Sequence, residues 1–170
     1  IVPFKEVYQD VIKVANFFKS KQVLAHSRVI ILGKNSYDWI VIDLACIISG
    51  IITIPLEVGK TYELEELFEQ FESDLLVTNI PEIIKLGHEK VMSFDDVINL
   101  SNQSDLPHVE FVPYQYQPES VFTFIFTSGT QGKSKFIEVK KKSFDHLISE
   151  SQGLYNFKID DRFLVFLTLP

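Results

Sequence analysis

Hydroxyl, glycine and lysine residues crowd one polar stretch of nine, Thr127-Ser128-Gly129-Thr130-Gln131-Gly132-Lys133-Ser134-Lys135. Glycines let a backbone turn tightly and approach a ligand, hydroxyls and backbone N–H groups donate hydrogen bonds, and lysines supply charge. A loop of this composition can cradle phosphate. The same residue types also build ordinary solvated turns, and composition alone does not separate the two. A nucleotide triphosphatase P-loop is the less fitting alternative. Gly132-Lys133-Ser134 matches the end of that motif, but its first glycine would fall where Thr127 stands. A helix should also follow, where Phe136-Ile137-Glu138-Val139 has an extended pattern.

The elements around the stretch must hold it. Phe122-Thr123-Phe124-Ile125-Phe126 is aromatic and β-branched throughout, which predicts a strand buried on both faces. Phe136, Ile137 and Val139 around Glu138 predict a partly exposed one. The order is strand, polar loop, strand. Upstream, Val7, Val11, Val14, Ala15 and Phe18 recur at helical spacing over residues 4–19. Arg28 to Gly33 is a short buried strand; Asn35-Ser36 offers an N-cap for a helix over 37–49, with Gly50 at its C-terminus; Ile51 to Leu56 is a further strand. Thr61 can cap a helix whose inner face is Leu64, Leu67, Phe68 and Phe71. Its glutamates, Glu63, Glu65, Glu66, Glu69 and Glu72, make a solvated face rather than a set of acid and base catalysts. Strands at 75–78 and 90–92, a short helix at 82–86 and a helix capped by Ser93 follow.

Residues 99–118 lose periodicity and read as a long surface connection, with Tyr114 and Tyr116 packed on the domain rather than stacked on a ligand base. Beyond the loop, Ser143 caps a helix to about residue 152, with Leu147 and Ile148 inward and Gly153 past its end. Phe163 to Leu169 begins another strand. Strands alternating with helices imply an α/β fold, a layered and mainly parallel sheet with helices on both faces.

At this point the chain resembles the adenylate-forming superfamily: acyl-CoA synthetases, adenylation domains of peptide synthetases, and luciferases. Phe126 to Lys135 is similar to its phosphate-binding signature, with Thr127 to Thr130, Gly132 and Lys135 kept. Gln131 stands for Thr, Ser134 for Pro and Phe136 for Gly. Three further landmarks follow the family order. Asn35-Ser36-Tyr37-Asp38-Trp39 resembles Asn-Ser-x-Glu-Trp, Gly50 to Leu56 resembles Gly-x-x-x-x-Pro-Leu, and Asp160-Asp161 to Leu169-Pro170 resembles a strand ending in Leu-Pro. Lys140-Lys141 occupies the place where many members carry Thr-His.

The resemblance implies part of the large N-terminal domain of an adenylate-forming enzyme, an acid-thiol ligase of the acyl-CoA synthetase kind. Residues 1–98 are expected as early βα units, 99–118 as a connection, and 119–170 as loop, helix and the start of the next strand. Thr127, Ser128, Gly129, Thr130, Gly132 and Lys135 are implied contacts for the β- and γ-phosphates of ATP, with Gln131 and Lys133 beside them. No catalytic residue and no metal ligand is assigned. Mg2+ is expected through the ATP phosphates, a carboxylic acid as substrate, and CoA or a carrier-protein pantetheine as acceptor. Family residues for adenine, ribose, magnesium and acyl group, and the mobile domain with its catalytic lysine, come later in the chain, so these 170 residues are expected to be inactive alone. Alternative readings are an adenylation domain or acyl-AMP ligase that loads a carrier protein, and a degenerate member that only binds.

The totals are consistent with a single globular domain. The chain has 170 residues, 46% hydrophobic and 23% charged, which suits a packed core. A net charge of -7 argues against a nucleic-acid surface. Lys133, Lys135, Lys140, Lys141 and Lys142 form a local cationic run that suits a small polyanion or, equally, a solvated helix start. The single cysteine, Cys46, sits in an apolar helical pattern and reads as packing; no metal cluster stands out, and a reducing, cytoplasmic compartment is expected. The apolar run 39–56 is broken by Asp43, Gly50, Thr53 and Pro55. A charge within the bilayer costs about 2.5–3.5 kcal/mol, so a helix, turn and strand is expected instead of a membrane span. No initiator methionine is present, and the chain stops within a strand pattern, as expected of a piece of a longer protein.

Overall fold

The computed structural model describes residues 2–103, 111–127 and 135–154. At its centre is β1 (Arg28–Leu32), an apolar run whose alternate side chains face opposite sides of the sheet. Val29 and Ile31 join one core cluster, and Ile30 and Leu32 join the other. β1 is flanked by β2 (Ile52–Leu56) and β3 (Leu75–Thr78), both parallel to it and both buried along their whole length. β4 (Val91–Ser93) and β5 (Val121–Thr127) extend the parallel run on either side, and β6 (Lys135–Lys140) pairs antiparallel to β5. The order is β4-β3-β1-β2-β5-β6. This is the expected mainly parallel α/β sheet, with helices on both faces.

The helices of the first half, apart from the short α4, form because one stripe of each is apolar. α1 (Phe4–Ser20) buries Val11, Val14, Ala15, Phe17 and Phe18. Ser36 caps α2 (Tyr37–Ser49) by accepting from the Trp39 N–H at 3.0 Å, and Gly50 ends it in the left-handed region at φ 75°. These two helices and α5 (Phe94–Ser101) cover the Val29/Ile31 face. Ser93 caps α5, accepting from the Asp96 N–H at 2.9 Å. α3 (Leu64–Phe71) covers the other face with Leu67, Phe68 and Phe71, leaving Glu63, Glu65, Glu66, Glu69 and Glu72 exposed. Its N-cap is Glu63, with no side-chain bond, so Thr61 does not cap it. α4 (Pro81–Ile84) is one short turn set by Pro81 at its start.

The far side of the sheet departs from the pattern. α6 (Lys141–Leu154) follows β6 directly, beginning before Ser143 and carrying Gly153 inside it. Leu147 and Ile148 are 61% and 43% exposed, not inward. α6 leans on the β5–β6 hairpin through Phe144, stacked on Phe122 at 4.4 Å, and no described element lies over its other apolar side chains. For the same reason β5 is not buried on both faces: Phe122 is buried, while Ile125, opposite Ile137 in the ladder, is 41% exposed. The strand pattern at 163–169 and part of the long connection, 104–110, lie outside the described residues.

The rest of that connection is a strap across the end of α2. The Tyr114 N–H donates to the Ile48 carbonyl at 2.8 Å, and the Tyr116 hydroxyl donates to the Ile47 carbonyl at 2.8 Å. Last-turn carbonyls of a helix have no partner within it, and here the strap supplies two. A Cβ on Gly50 would lie 2.5 Å from the Tyr114 ring. We therefore expect Gly50→Ala to lower unfolding stability by about 2–4 kcal/mol, from positive φ and overpacking together. An unchanged urea midpoint would mean that the strap does not bear on Gly50.

Candidate functional site

β1 to β5 run parallel, so their carboxyl ends open at one edge, the edge at which α/β sheets bind ligands. Both ends of the polar stretch, Thr127 and Lys135, reach this edge. β5 ends there at Thr127, and β6 leaves from Lys135, its Cα partner across the ladder. Ser128, Gly129, Thr130, Gln131, Gly132, Lys133 and Ser134, between these two stems, lie outside the described residues. The strand–loop–strand order expected from the pattern is thus present in its two strands.

Phe136, which replaces a glycine of the family signature, has a physical reason. Its ring meets Phe71 of α3 edge-on, centroids 4.6 Å apart and planes at 90°, within the cluster that fills the α3 face. This position is spent on packing β6 against α3.

At the same edge, with β2 between them and the loop stems, the ends of β1 and β3 are clasped. The Asn79 amide oxygen accepts from the Lys34 N–H at 2.9 Å, and its NH2 donates to the Lys34 carbonyl at 3.3 Å. Gly33 has no room for a side chain, since a Cβ would lie 2.7 Å from both the Asn79 amide oxygen and the Phe94 ring. Neither role is legible in the sequence. An Asn directly after an apolar strand was the available signal, a weak one because such residues also make plain turns.

The lysine run divides in two. Lys140 is the ladder partner of Val121, at the amino end of β5, whereas Lys135 is the partner of Thr127 at its carboxyl end. At about 3.4 Å per residue the two ends are about 17 Å apart. Lys140, Lys141 and Lys142 therefore do not gather at the loop. They are also paired: Lys140 with Glu119 at 2.8 Å, Lys142 with the same carboxylate, and Lys141 with Asp145. Hydrogen bonds from Lys140 and Lys142 pull the Glu119 carboxyl down to about 2.

Cys46, His88 and His26 have structural roles. Cys46 is fully buried, and burial pushes its thiol well above the usual range. His88 stacks on Phe68 at 4.8 Å, and His26 bonds the Tyr114 hydroxyl at 3.1 Å. Tyr114 and Tyr116 are packed on the domain rather than presented for stacking. Among the described residues no group of His, Cys, Asp or Glu could hold a metal ion, and no helix is long and apolar enough to cross a membrane.

A family model described as AMP-binding enzyme matches residues 2–170. No curated protein matches the chain. Solved structures with the same fold include o-succinylbenzoate CoA synthetase (MenE) from Bacillus subtilis. The form bound to ATP and magnesium ion superposes with a TM-score of 0.76 at 21% identity, over 98% of this chain and 35% of that one. A double mutant of the same enzyme, bound to its product analogue OSB-NCoA, gives 0.79 at 21% identity, over 98% and 34%. The N-terminal subdomain of Klebsiella oxytoca NpsA, in complex with 3-hydroxybenzoyl-AMSN, gives 0.66 at 15% identity, over 82% and 34%. The chain spans about a third of each of these.

Two measurements check this geometry. Phe136→Gly restores the signature residue yet should destabilise the domain by about 2–3 kcal/mol, because the ring packed on Phe71 is lost; an unshifted urea midpoint would remove its packing role. In a side-chain NMR titration, Glu119 should release its proton well below the ordinary carboxylate value, and its midpoint should rise in Lys140→Met/Lys142→Met. The depressed value makes this cluster's contribution to stability present above about 4.5 and lost as pH falls toward about 2.

Proposed function

The chain belongs to the AMP-binding enzyme family, and from that membership we propose that it forms part of an ATP-dependent ligase that activates a carboxylic acid as its acyl-adenylate and passes it to a thiol. One observation carries the reading. The signature residues Thr127 to Thr130, Gly132 and Lys135 fall between two strand stems that open at the carboxyl edge of a parallel sheet, where backbone N–H groups and hydroxyls can converge on an anion.

In this reading Thr127, Ser128, Gly129, Thr130, Gly132 and Lys135 hold the β- and γ-phosphates of ATP, with Gln131 and Lys133 supporting them. Their donor set fits a polyphosphate: hydroxyls and N–H groups donate hydrogen bonds to its oxygens, and lysine ammonium groups neutralise its charge. When the carboxylate attacks the α-phosphorus, negative charge grows on the departing pyrophosphate. Donors already fixed at that position lower the barrier, each worth about 3 kcal/mol. Mg2+ enters with the nucleotide, carried by its phosphates.

CoA is the acceptor we favour, with a carrier-protein pantetheine second, and the location is the reducing cytoplasm. Residues 1–98, 99–118 and 119–170 serve as βα units, connection and phosphate-loop region of the large domain. Groups for the adenine, the acyl chain and thiol transfer lie elsewhere in the whole protein, so the 170 residues alone do not turn over.

The test is ATP–pyrophosphate exchange by the full-length protein across short, long and aromatic carboxylic acids. Exchange that depends on one acid class, and falls about 100-fold or more in Lys135→Ala/Thr130→Ala, is the expected result. No exchange with any acid, from folded protein, would replace the ligase by a degenerate binding module.

A further inference from the structure

A pocket of about 370 Å³ opens at the edge of the sheet opposite the loop stems. α1 gives it Asn16 and Lys19, the turn after α1 gives Leu24, the last turn of α2 gives Ser49, and the strap gives Val112 and Tyr114. Backbone bonds fix its place. Where α2 ends, the His26 N–H donates to the Gly50 carbonyl at 2.9 Å and the Ile52 N–H donates to the Ser27 carbonyl at 2.9 Å, just ahead of β1 and β2. These are the amino ends of parallel strands, whereas Thr127 lies at the carboxyl end of β5. The pocket is therefore separate from the phosphate-binding stretch.

Its chemistry is one-sided. Leu24 and Val112 remain 46% and 77% exposed, and the Tyr114 hydroxyl is already bonded to His26 at 3.1 Å, so these three offer apolar surface. The polar side chains of the lining can all donate: the Asn16 amide, the Lys19 ammonium and the Ser49 hydroxyl. No acidic side chain lines the pocket, although the protein carries a net charge of -7. Lys19 is in no ion pair among the described residues. The Ser49 hydroxyl is buried and has no hydrogen-bond partner. An unpaired buried hydroxyl is destabilising, so a ligand oxygen that reaches it relieves that penalty.

We propose that this pocket is a ligand site distinct from the phosphate-binding stretch, and that it takes a small carboxylic acid with an apolar tail. The tail lies against Leu24, Val112 and the Tyr114 ring, and the carboxylate accepts hydrogen bonds from Lys19, Asn16 and Ser49. Small-molecule sites run from about 300 to 1,000 Å³, and this volume falls within that range. A bound acid bridges α1 to the strap. Tyr114 and Tyr116 of the strap hold the last carbonyls of α2, and the Tyr116 ring meets Phe122 of β5 at 5.4 Å. Occupancy therefore fastens the strap to the first half of the domain, far from the loop stems. The site goes beyond the ligase reading and does not depend on it.

The probe is octanoate, with 1-octanol as its uncharged match, added without nucleotide to the full-length protein while amide hydrogen exchange is followed by mass spectrometry. Octanoate should slow exchange saturably in residues 16–26 and 111–116, and 1-octanol should need a several-fold higher concentration. Residues 19 and 112 are exposed, so their variants should fold. Val112→Glu should weaken octanoate about fivefold through like charge, and Val112→Lys should not. Lys19→Met should weaken it by about threefold to fivefold, with Lys19→Arg restoring it. Protection that does not saturate, or that falls only outside these two segments, would overturn the site. Equal affinity for octanoate and 1-octanol, unmoved by the substitutions at 19 and 112, would overturn the carboxylate as its ligand. Failure of pyrophosphate exchange, with the protection as stated, would remove the ligase reading and support the site on its own.

Discussion

Everything in this fold follows from taking β1 out of water. Its backbone N–H and C=O groups must bond on both sides, because a buried group left unpaired costs about 1–3 kcal/mol. β2 and β3 therefore flank it, both parallel. Parallel neighbours cannot be joined by a tight turn, so each step crosses a face through a helix. α2 carries the chain from β1 to β2 over one face, and α3 carries it from β2 to β3 over the other. Two helical layers result, and the strand ends collect at one edge. Thr127, where the polar stretch begins, reaches that edge because β5 continues the same parallel run.

This logic made the first half of the chain legible. Four residues, Ser36, Gly50, Ser93 and Pro81, punctuate elements by mechanisms that act within one turn of chain, and three of them sit at the boundaries expected of them. Pro81 opens the short α4, which therefore runs Pro81–Ile84 and not over the 82–86 that the pattern predicts. The faces of α1 and α3 could be read because a single apolar stripe repeats along each. What could not be read was whether a stripe would find a partner. Leu147 and Ile148 share one face of α6 as the pattern suggests, yet burial depends on a neighbouring surface, and the elements around α6 do not cover them. The same gap explains Ile125: alternation shows which way a strand residue points, not what lies opposite.

The site was legible in a different way. Residue types in 127–135 suggest a chemistry, and the pattern places strands at 122–126 and 136–139; the structure carries those strands one residue further at each side, to Thr127 and Lys135. Lys140 to Lys142 looked like neighbours of the loop because they are close in sequence. A strand separates its two ends by its full length, and three ion pairs occupy them. Phe136 and Asn79 illustrate the opposite case, residues whose roles depend on α3 and on the end of β1, both far away along the chain.

The strap over α2 changes what counts as a unit of this domain. Tyr116 reaches back 69 residues to Ile47, and Tyr114 reaches 88 to His26, closing a contact that runs on through Phe122 to Phe144 of α6. A segment that reads as a linker between two halves is instead what finishes the first half's helix. Opening the hairpin side would strip partners from the last carbonyls of α2, so the two sides are tied into one cooperative foldon. Such long-range closure is late and slow in folding, since most of the loop entropy must be lost before the bonds form. The first βα units would then emerge from synthesis with the end of α2 unfinished, and would gain their full protection against amide hydrogen exchange only when the strap has arrived.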